Sequence, residues 1–447
     1  MFKKILIANR GDVAMRIHRA CRDLNIPTVA IHSTADSESM HVRLADESVC
    51  IGPPKSSESY HNIQRIISAA ILCGADAIHP GVGFLAENAD FAEIVEAHGI
   101  TFIGPSANHI RTMGDKIQAK KAAARVGLPL VPGSDGPIDN LKDAKNISNQ
   151  IGYPVIIKAA AGGGGRGMKV AKSDLDLSEA FESARLESKA AFGSNIVYIE
   201  KYLNNPRHIE IQIMADNYGN VVHLGERECS IQRRHQKIFE ESPSPALTKK
   251  ERIEIGILSA NATKKLGYLG LGTMEFLYEN KQFYFIEMNT RLQVEHPITE
   301  IITGLDLVCE QIKIASGIEM TIKQQNIKFN GHAIECRINA ENSESFIPSP
   351  GKIETYHPSG GPGVRVDSSV YQGYVVQPFY DSLIAKLIIF ADNRQVCIAR
   401  TKRALEEFII EPIDTSLNLH RKLINDPDLK NGNYSIKWLE EKFLNKV

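Results

Sequence analysis

The stretch Gly272-Thr-Met-Glu-Phe-Leu-Tyr-Glu-Asn-Lys-Gln-Phe-Tyr-Phe-Ile-Glu-Met-Asn-Thr-Arg291 holds two strand-like runs on either side of a short polar turn. This pattern predicts a β-hairpin. Side chains two residues apart share a face of a strand, so the second run should place four of them together: Phe283, Phe285, Glu287 and Asn289. We expect Glu275 to lie opposite Glu287, with an odd number of residues in the turn, such as Asn280–Gln282.

A half-buried face that carries carboxylates beside aromatic rings needs a partner for its charge. If Glu275 and Glu287 face each other, they repel unless a divalent cation lies between them. Oxygen ligands of this kind favour Mg²⁺ or Mn²⁺, which are typically shared with nucleotide phosphates. A solvated strand edge is the alternative interpretation.

Charged residues on both sides of the hairpin suggest that an anion is bound nearby. Arg291 and Glu295 can supply an anion-binding fork and a general base within one site. Upstream, His208-Ile-Glu-Ile-Gln-Ile213 alternates strictly, which places its polar side chains on one face. The basic run Gln232-Arg-Arg-His-Gln-Lys237 is either a solvated loop, an RNA patch or a grip on phosphate or bicarbonate. It contains no aromatic residue for base stacking, which argues against RNA.

A glycine run follows an earlier apolar strand, in Lys158-Ala-Ala-Ala-Gly-Gly-Gly-Gly-Arg-Gly-Met168. Bare backbone N–H groups can approach phosphate oxygens closely, and the lysine at the strand end supplies a fixed cation. The run is not a Walker loop, because the Gly-x-x-x-x-Gly-Lys-[Ser/Thr] pattern is absent. Lys116 is a second candidate cation for phosphate, and a flexible surface turn is the alternative for the glycine run.

The first ~110 residues alternate short apolar strands with helices, which is typical of βαβ units and a parallel sheet. This part resembles a Rossmann unit, but Asn9-Arg10-Gly11 follows the first strand where Gly-x-Gly-x-x-Gly would bind a dinucleotide. We therefore interpret it as a scaffold and a partial wall for substrate.

Composition excludes several function classes. The chain has 447 residues, 43% hydrophobic content and a net charge of -1, so no global field attracts nucleic acid or a membrane surface. No stretch approaches the roughly 20 apolar residues of a membrane helix. The seven cysteines are scattered without a Cys-x-x-Cys pair, which favours the reducing cytoplasm.

Several motifs, taken together and in order, resemble the biotin carboxylase family, closest to the free-standing subunit of bacterial acetyl-CoA carboxylase. They include Ile7-Ala-Asn-Arg-Gly11, His79-Pro-Gly-Val-Gly-Phe-Leu-Ala-Glu-Asn88, Met113-Gly-Asp-Lys116, Phe285-Ile-Glu-Met-Asn-Thr-Arg-Leu-Gln-Val-Glu-His-Pro297 and His332-Ala-Ile-Glu-Cys-Arg-Ile-Asn-Ala-Glu341. The resemblance implies an α/β chain with an ATP-grasp fold. It implies a Rossmann-like N-terminal domain (1–113), an ATP-grasp region (114–320) with a mobile lid (130–201), and a C-terminal α+β domain (331–447).

The resemblance also implies a role for each site residue. ATP would be held by Lys116, Lys158, Gly164, Gly165, Glu200, Lys201, Tyr202, Leu203, His208, Gln232, His235, Glu275 and Glu287. Glu275, Glu287 and Asn289 would hold Mg²⁺ or Mn²⁺. Bicarbonate would be held by Lys237, Arg291 and Val294, with Glu295 as its base. Arg337 would bind the ureido oxygen of biotin and stabilise an enolate-like anion, near Val82.

The implied reaction is ATP-dependent carboxylation of biotin through carboxyphosphate, the first half-reaction of acetyl-CoA carboxylase in fatty acid biosynthesis. Because the chain ends at Val447 without an Ala-Met-Lys-Met biotinyl segment, biotin is expected on a separate carrier protein, with carboxyltransferase subunits and a homodimer. The alternatives are a subunit of another acyl-CoA carboxylase, an ATP-grasp carboxylate–amine ligase, or a non-catalytic subunit. Arg337 with Glu295 argues against an amine ligase, and the complete set of charged residues argues against a non-catalytic subunit.

Two motifs depart from the family pattern. In the loop at 79–88, Val82 and Ala86 stand where a tyrosine and a serine are usual, with Val82 near the biotin pocket, and in the glycine run Ala161 stands where the first glycine is usual. We expect the first to alter biotin affinity and the second to alter lid closure, without removing a catalytic role.

Overall fold

Five strands alternate with helices at the start of the chain and form a parallel sheet in the order β3-β2-β1-β4-β5. The computed structural model describes residues 1–160 and 167–444, so Gly164 and Gly165 lie outside the described residues. The elements of this first unit are β1 (Ile5–Ile7), α1 (Gly11–Asp23), β2 (Thr28–Ser33), α2 (Met40–Leu44), β3 (Glu47–Gly52), α3 (Ile63–Leu72), β4 (Ala77–His79), α4 (Ala89–Ala97), β5 (Thr101–Phe102) and α5 (Ala107–Gly114).

The strand order reverses between β1 and β4, and the loops after these two strands meet there. In open α/β sheets such a switch point is where ligands bind. The Asn9 side-chain amide donates to the carbonyls of Pro80 (2.7 Å) and Val82 (2.8 Å) and joins the loops. Gly81 has a φ of +67°, and a Cβ there would lie 2.7 Å from Asn9 Nδ2, so this contact requires glycine. The parallel sheet predicted from the sequence is thus present.

A small three-stranded sheet, ordered β7-β6-β8, follows and has its own apolar core. It contains β6 (Val155–Ala159), β7 (Met168–Ala171) and β8 (Val197–Lys201), covered by α7 (Leu141–Ile151) and α8 (Asp174–Phe192), while α6 (Lys116–Val126) precedes them. Phe181 and Leu177 of α8 are fully buried against Ile157 and Ile199 of this sheet.

The largest sheet has eight strands in the order β13-β12-β9-β10-β11-β14-β19-β17. Its middle part and the adjoining helices are β9 (Arg207–Ala215), β10 (Val221–Arg233), β11 (Gln236–Ser242), α9 (Lys249–Leu266), β12 (Gly270–Glu279), β13 (Gln282–Asn289), α10 (His296–Thr303) and α11 (Leu307–Ala315). Ile209, Ile211 and Ile213 pack into a core with residues of α6 and α9. The alternation predicted for β9 therefore leaves its polar side chains on the opposite face.

The last third of the chain extends the same sheet, because β14 pairs antiparallel with β11. Its elements are β14 (His332–Asn339), β15 (Gly351–Lys352), β16 (Thr355–His357), β17 (Val364–Ser368), β18 (Val375–Val376), β19 (Leu383–Ala391), α12 (Arg394–Glu407), β20 (Ile409–Glu411), α13 (Leu417–Leu423), α14 (Pro427–Asn431) and a π-helical turn (Glu440–Leu444). Within the described ranges, every helix is too short or too polar to cross a membrane.

The hairpin of β12 and β13 confirms one part of its prediction and corrects two others. Glu275 lies opposite Glu287 as expected. The turn, however, has two residues, Asn280 and Lys281, with φ values of +51° and +62°, which is typical of a type I′ turn. The odd count arises instead from a β-bulge, because Phe276 pairs with Phe285 while Glu275 pairs with Glu287.

The bulge also shows that the four predicted residues of β13 do not share one face. Phe285 and Phe283 contact Phe276, with ring centroids 5.9 and 6.1 Å away, in the core under the sheet. Beyond the extra residue, Glu287 and Asn289 belong with Glu275 on the other face. A strict period of two fails here because one additional residue reverses its phase.

Candidate active site

A cleft of about 1200 Å³ lies between the first unit, the small sheet and the large sheet. All of the predicted site residues that the structure describes line it: Val82, Lys116, Lys158, Glu200, Lys201, Tyr202, Leu203, His208, Gln232, His235, Lys237, Glu275, Glu287, Asn289, Arg291, Val294, Glu295 and Arg337. Asn9, Arg10 and Gly11 of the first unit line it too. The sequence therefore identified residues that share one cavity.

Lysine side chains converge at the end of the cleft beside the small sheet. Lys158, at the end of β6, donates to the buried Glu200 carboxylate at 2.5 Å, and Lys120 donates to the other oxygen. Burial opposes charge on Glu200, but these two ammonium groups hold its pKa below the ordinary value. Lys116 lies one helical turn before Lys120, and burial lowers its pKa. This concentration of cations suits a polyphosphate.

Lys120 was missed from the sequence, although a signal was present. It follows Lys116 by four residues on a predicted helix, so both lie on the same helix face. A lysine considered alone gives no such indication.

The opposed pair of the hairpin lies farther along the cleft. Burial and the charge of Glu275 raise the pKa of Glu287. Burial also opposes charge on Glu275, but Lys237 and His208 hold the pKa of Glu275 well below its ordinary value. Asn289 donates to Glu275 at 2.8 Å and adds an amide oxygen to the two carboxylates. This oxygen-rich set fits a hard divalent cation, which would relieve the repulsion at Glu287.

His208 lies between two polar groups on the same wall. Its Nε2 is 2.9 Å from a Glu275 oxygen, and its Nδ1 is 2.7 Å from the Gln232 amide nitrogen. Burial disfavours its charged form, but the Glu275 carboxylate raises the pKa of His208 above its ordinary value. His208 and Glu275 therefore form an ion pair when the imidazole is protonated.

Lys237 connects this carboxylate pair to the next part of the cleft. Its ammonium donates to Glu275 at 2.9 Å, to Glu295 at 2.7 Å and also to Glu210. The second oxygen of Glu295 accepts from Arg337 Nη2 at 2.8 Å. Burial opposes charge on Glu295, yet Lys237 and Arg337 hold its pKa well below the ordinary value. Glu295 is therefore an ionised hydrogen-bond acceptor between two cations.

Arg291 lies beside this cluster and joins it to the first unit. Its Nε donates to Glu87 at 2.8 Å, and its Nη2 donates to the Asn289 side chain at 2.9 Å. Glu87 also accepts from the backbone N–H of Thr290 at 3.1 Å. The guanidinium is therefore held in a defined plane, as an anion-binding fork needs.

Arg227 is a further functional residue that the sequence analysis did not identify, and it acts on Lys237 through Glu210. Arg227 is fully buried and donates to Glu210 at 2.5 Å and to Gln212 at 2.7 Å. The alternation of β9 placed Glu210 and Gln212 on the correct face, but nothing local indicated that Arg227, which lies on β10 opposite Glu210, would contact both of them. Such a network fixes the Glu210 carboxylate that contacts Lys237.

Comparisons with known proteins agree with this geometry. Family models match residues 1–110 (biotin carboxylase, N-terminal domain), 115–323 (carbamoyl-phosphate synthase L chain, ATP binding domain) and 335–441 (biotin carboxylase C-terminal domain). The chain is 57% identical to biotin carboxylase of Haemophilus influenzae over 99% of both chains.

Solved structures show the same similarity. The biotin carboxylase–β-γ-ATP complex from Campylobacter jejuni has 49% identity and a TM-score of 0.94 over 99% of both chains. The biotin carboxylase domain dimer of Hydrogenobacter thermophilus 2-oxoglutarate carboxylase, in complex with MgADP, ADP and bicarbonate, has 49% identity and a TM-score of 0.92. It covers 99% of this chain and 98% of that one. The chain belongs to the biotin carboxylase family of ATP-grasp ligases.

Proposed function

We propose that this chain uses ATP and bicarbonate to carboxylate biotin that a separate carrier protein presents. The observation that supports this activity best is the position of Glu295 between Lys237 and Arg337, beside the Glu275–Glu287 pair. A bicarbonate bound among Lys237, Arg291 and the Val294 backbone would meet an ionised base on one side. On its other side, the bound bicarbonate would face a nucleotide held by Lys116, Lys120 and Lys158 at the far end of the cleft.

The charged residues at different positions along the cleft support different steps. Lys116, Lys120 and Lys158 neutralise the ATP phosphates. Glu295 accepts the bicarbonate proton as a bicarbonate oxygen attacks the terminal phosphate, which breaks the bond to ADP and gives carboxyphosphate and ADP. Arg337 then stabilises negative charge on the biotin ureido oxygen. Glu275, Glu287 and Asn289 would hold Mg²⁺ or Mn²⁺, which supplies charge neutralisation for the phosphates.

The proposal also covers the domains, a lid and the partners of the chain. The domains are 1–113, 114–320 and 331–447, and residues 130–201 form a lid that excludes water from the cleft. The chain forms a homodimer in the cytoplasm. Its partners are the carrier protein and the carboxyltransferase subunits, which pass the carboxyl group to acetyl-CoA. Full-length similarity to free-standing biotin carboxylases supports it.

Rates of ATP hydrolysis test the proposal directly. They are measured with Mg²⁺ or Mn²⁺, with and without bicarbonate, and with and without free biotin. We expect slow bicarbonate-dependent hydrolysis that biotin stimulates, with carboxybiotin as product. Hydrolysis that ignores bicarbonate, or stimulation by an amine instead of biotin, would contradict the proposal.

A further inference from the structure

Two buried carboxyl groups face each other directly behind Arg337. Glu240 on β11 and Glu335 on β14 are paired across the strands, and neither is exposed to solvent. One oxygen of Glu240 accepts from Arg337 Nε at 2.6 Å. Among the described residues, the other Glu240 oxygen and both Glu335 oxygens have no hydrogen-bond partner.

Facing carboxylates in a buried interior of low dielectric constant repel each other strongly, so such a pair keeps a proton unless cations compensate both charges. The charged groups around this pair are Arg337, Lys237, Glu295 and Lys386. Arg337 contacts Glu240, whereas Lys386 donates to the Val294 carbonyl at 2.9 Å and pairs with Asp12 at 3.2 Å. The positive charge of Arg337 therefore favours ionisation of Glu240 over ionisation of Glu335.

The pKa values of the two carboxyl groups follow the same order. Burial raises the pKa of Glu240 to about 7 in spite of Arg337, and it raises the pKa of Glu335 well above its ordinary value. Glu335 is thus the carboxyl group that loses its proton last.

We propose that Glu240 is a positioning residue that orients Arg337 toward biotin, and that Glu335 remains a neutral carboxylic acid beside it. The guanidinium is planar, so the bond from Nε to Glu240 and the bond from Nη2 to Glu295 together fix its orientation. An ionised Glu335 would place a second negative charge behind Arg337 and attract its guanidinium away from the cleft. This inference rests on the role proposed for Arg337.

The first experiment measures the ratio of biotin-stimulated to biotin-independent ATP hydrolysis in Glu240→Ala, Glu240→Gln and Arg337→Ala. We expect this ratio to fall by roughly tenfold to a hundredfold in Glu240→Ala, mainly through kcat, since partners that orient a functional group have effects of that size. Glu240→Gln should recover most of the ratio, because its amide oxygen can still accept from Nε. A purely structural role would lower both activities together and would not show this recovery.

The parallel Arg337 variant separates two kinds of failure. If Arg337→Ala keeps biotin stimulation, the role proposed for Arg337 is wrong. If Arg337→Ala loses stimulation but Glu240→Ala keeps it, only the positioning role is wrong.

A spectroscopic experiment tests the proton on Glu335. Infrared spectra at neutral pH should contain the C=O stretching band of a protonated carboxylic acid, shifted in D₂O, which Glu335→Gln removes. If Glu335→Gln does not fold, Glu335→Leu supplies the same subtraction. Identical spectra of wild type and variant in this region would overturn the assignment.

Discussion

Arg337 and Glu295 are hydrogen-bonded to each other, yet we expect their removal to affect different steps. Glu295→Gln should abolish both bicarbonate-dependent and biotin-stimulated ATP hydrolysis, because a missing general base costs roughly 10²–10⁴-fold. Arg337→Ala should keep much of the slow hydrolysis without biotin but lose biotin-stimulated turnover by roughly 10²–10³-fold. Both rates are measured on both variants with saturating Mg-ATP.

The two outcomes that would contradict this division are specific. One is an equal loss of both activities in Arg337→Ala. The other is bicarbonate-dependent hydrolysis that survives in Glu295→Gln.

Glu241, next to Glu240, allows a prediction about stability and pH. It is fully buried and accepts from His332 at 2.7 Å and from Arg394 at 2.7 and 2.9 Å. Burial opposes its charge, but these donors lower its pKa from 4.5 to about 2. A lowered carboxyl pKa stabilises the fold fully above the unfolded value near 4.5, and this contribution is lost as pH falls toward 2.

Glu241→Gln should therefore lower the free energy of unfolding at pH 7 by roughly 3 kcal/mol, and this difference should shrink below pH 4.5. Denaturant unfolding at pH 7, 5 and 4 measures it. Glu344→Gln is the matched control, since that carboxylate pairs with Lys422 at the exposed surface. A difference that stays constant with pH would show that Glu241 acts by packing alone.

At the scale of elements, the bulge in β13 separates residues that a simple strand would keep together. Phe285→Ala should destabilise the fold by about 3–5 kcal/mol, because it empties a ring-packed core position. Glu287→Gln should leave stability near wild type or raise it, because it removes a repelled buried charge, but lower metal-dependent ATP hydrolysis by roughly tenfold or more. Thermal unfolding and metal titrations of activity measure both effects. Equal loss of stability in the two variants would place both side chains in the core.

The small sheet of β6, β7 and β8 should close over bound nucleotide. Its core is separate, and it contacts α6 through Glu200, which accepts from Lys120 and Lys158. A nucleotide would compete for these lysines and draw the sheet inward. Hydrogen exchange in β6–β8 should slow with a non-hydrolysable ATP analogue, while exchange in β2 and β3 should not change. Unchanged exchange in the small sheet would exclude a lid.

Local sequence patterns were sufficient to predict where many strands lie, but not which face of the strand each side chain occupies. The sequence predicted strands at Val155–Ala159 and His332–Asn339 with the bounds that the structure has, because apolar runs there end at turn residues or charges. The bulge after Phe285 could not be predicted, since an extra residue in one strand is visible only against its partner strand.

At the scale of the whole molecule, the sequence predicted which side chains line the cleft better than it predicted the buried residues that hold those side chains in place. Motif residues such as Lys237 and Glu295 carry recognisable patterns, and they meet in the cleft as expected. Glu240 and Glu335 lie 95 positions apart and gain meaning only when β11 pairs with β14. Likewise, nothing in the sequence indicated that β14, β19 and β17 would continue the sheet of β9 to β13. Pairing over such distances is decided by the global fold, not by local preference.

Lys386 on β19 connects three distant parts of the chain. It is fully buried, pairs with Asp12 at the start of α1 at 3.2 Å and donates to the Val294 carbonyl at 2.9 Å. Lys386→Met should lower the free energy of unfolding by about 3–5 kcal/mol, because Asp12 is left as a buried charge without its cation. It should also lower bicarbonate-dependent hydrolysis, since the Val294–Glu295 segment loses a donor that holds it.

The double variant Asp12→Asn/Lys386→Met shows whether the unpaired charge is the cause. It should be more stable than Lys386→Met alone, because no uncompensated carboxylate remains, while the loss of activity should persist, because the Val294 carbonyl still lacks its donor. Denaturant unfolding and ATP hydrolysis are measured on both single variants and the double variant. A double variant no more stable than Lys386→Met would show that Lys386 contributes mainly by packing. Recovery of activity together with stability would show that the Val294 contact does not orient the proposed bicarbonate site.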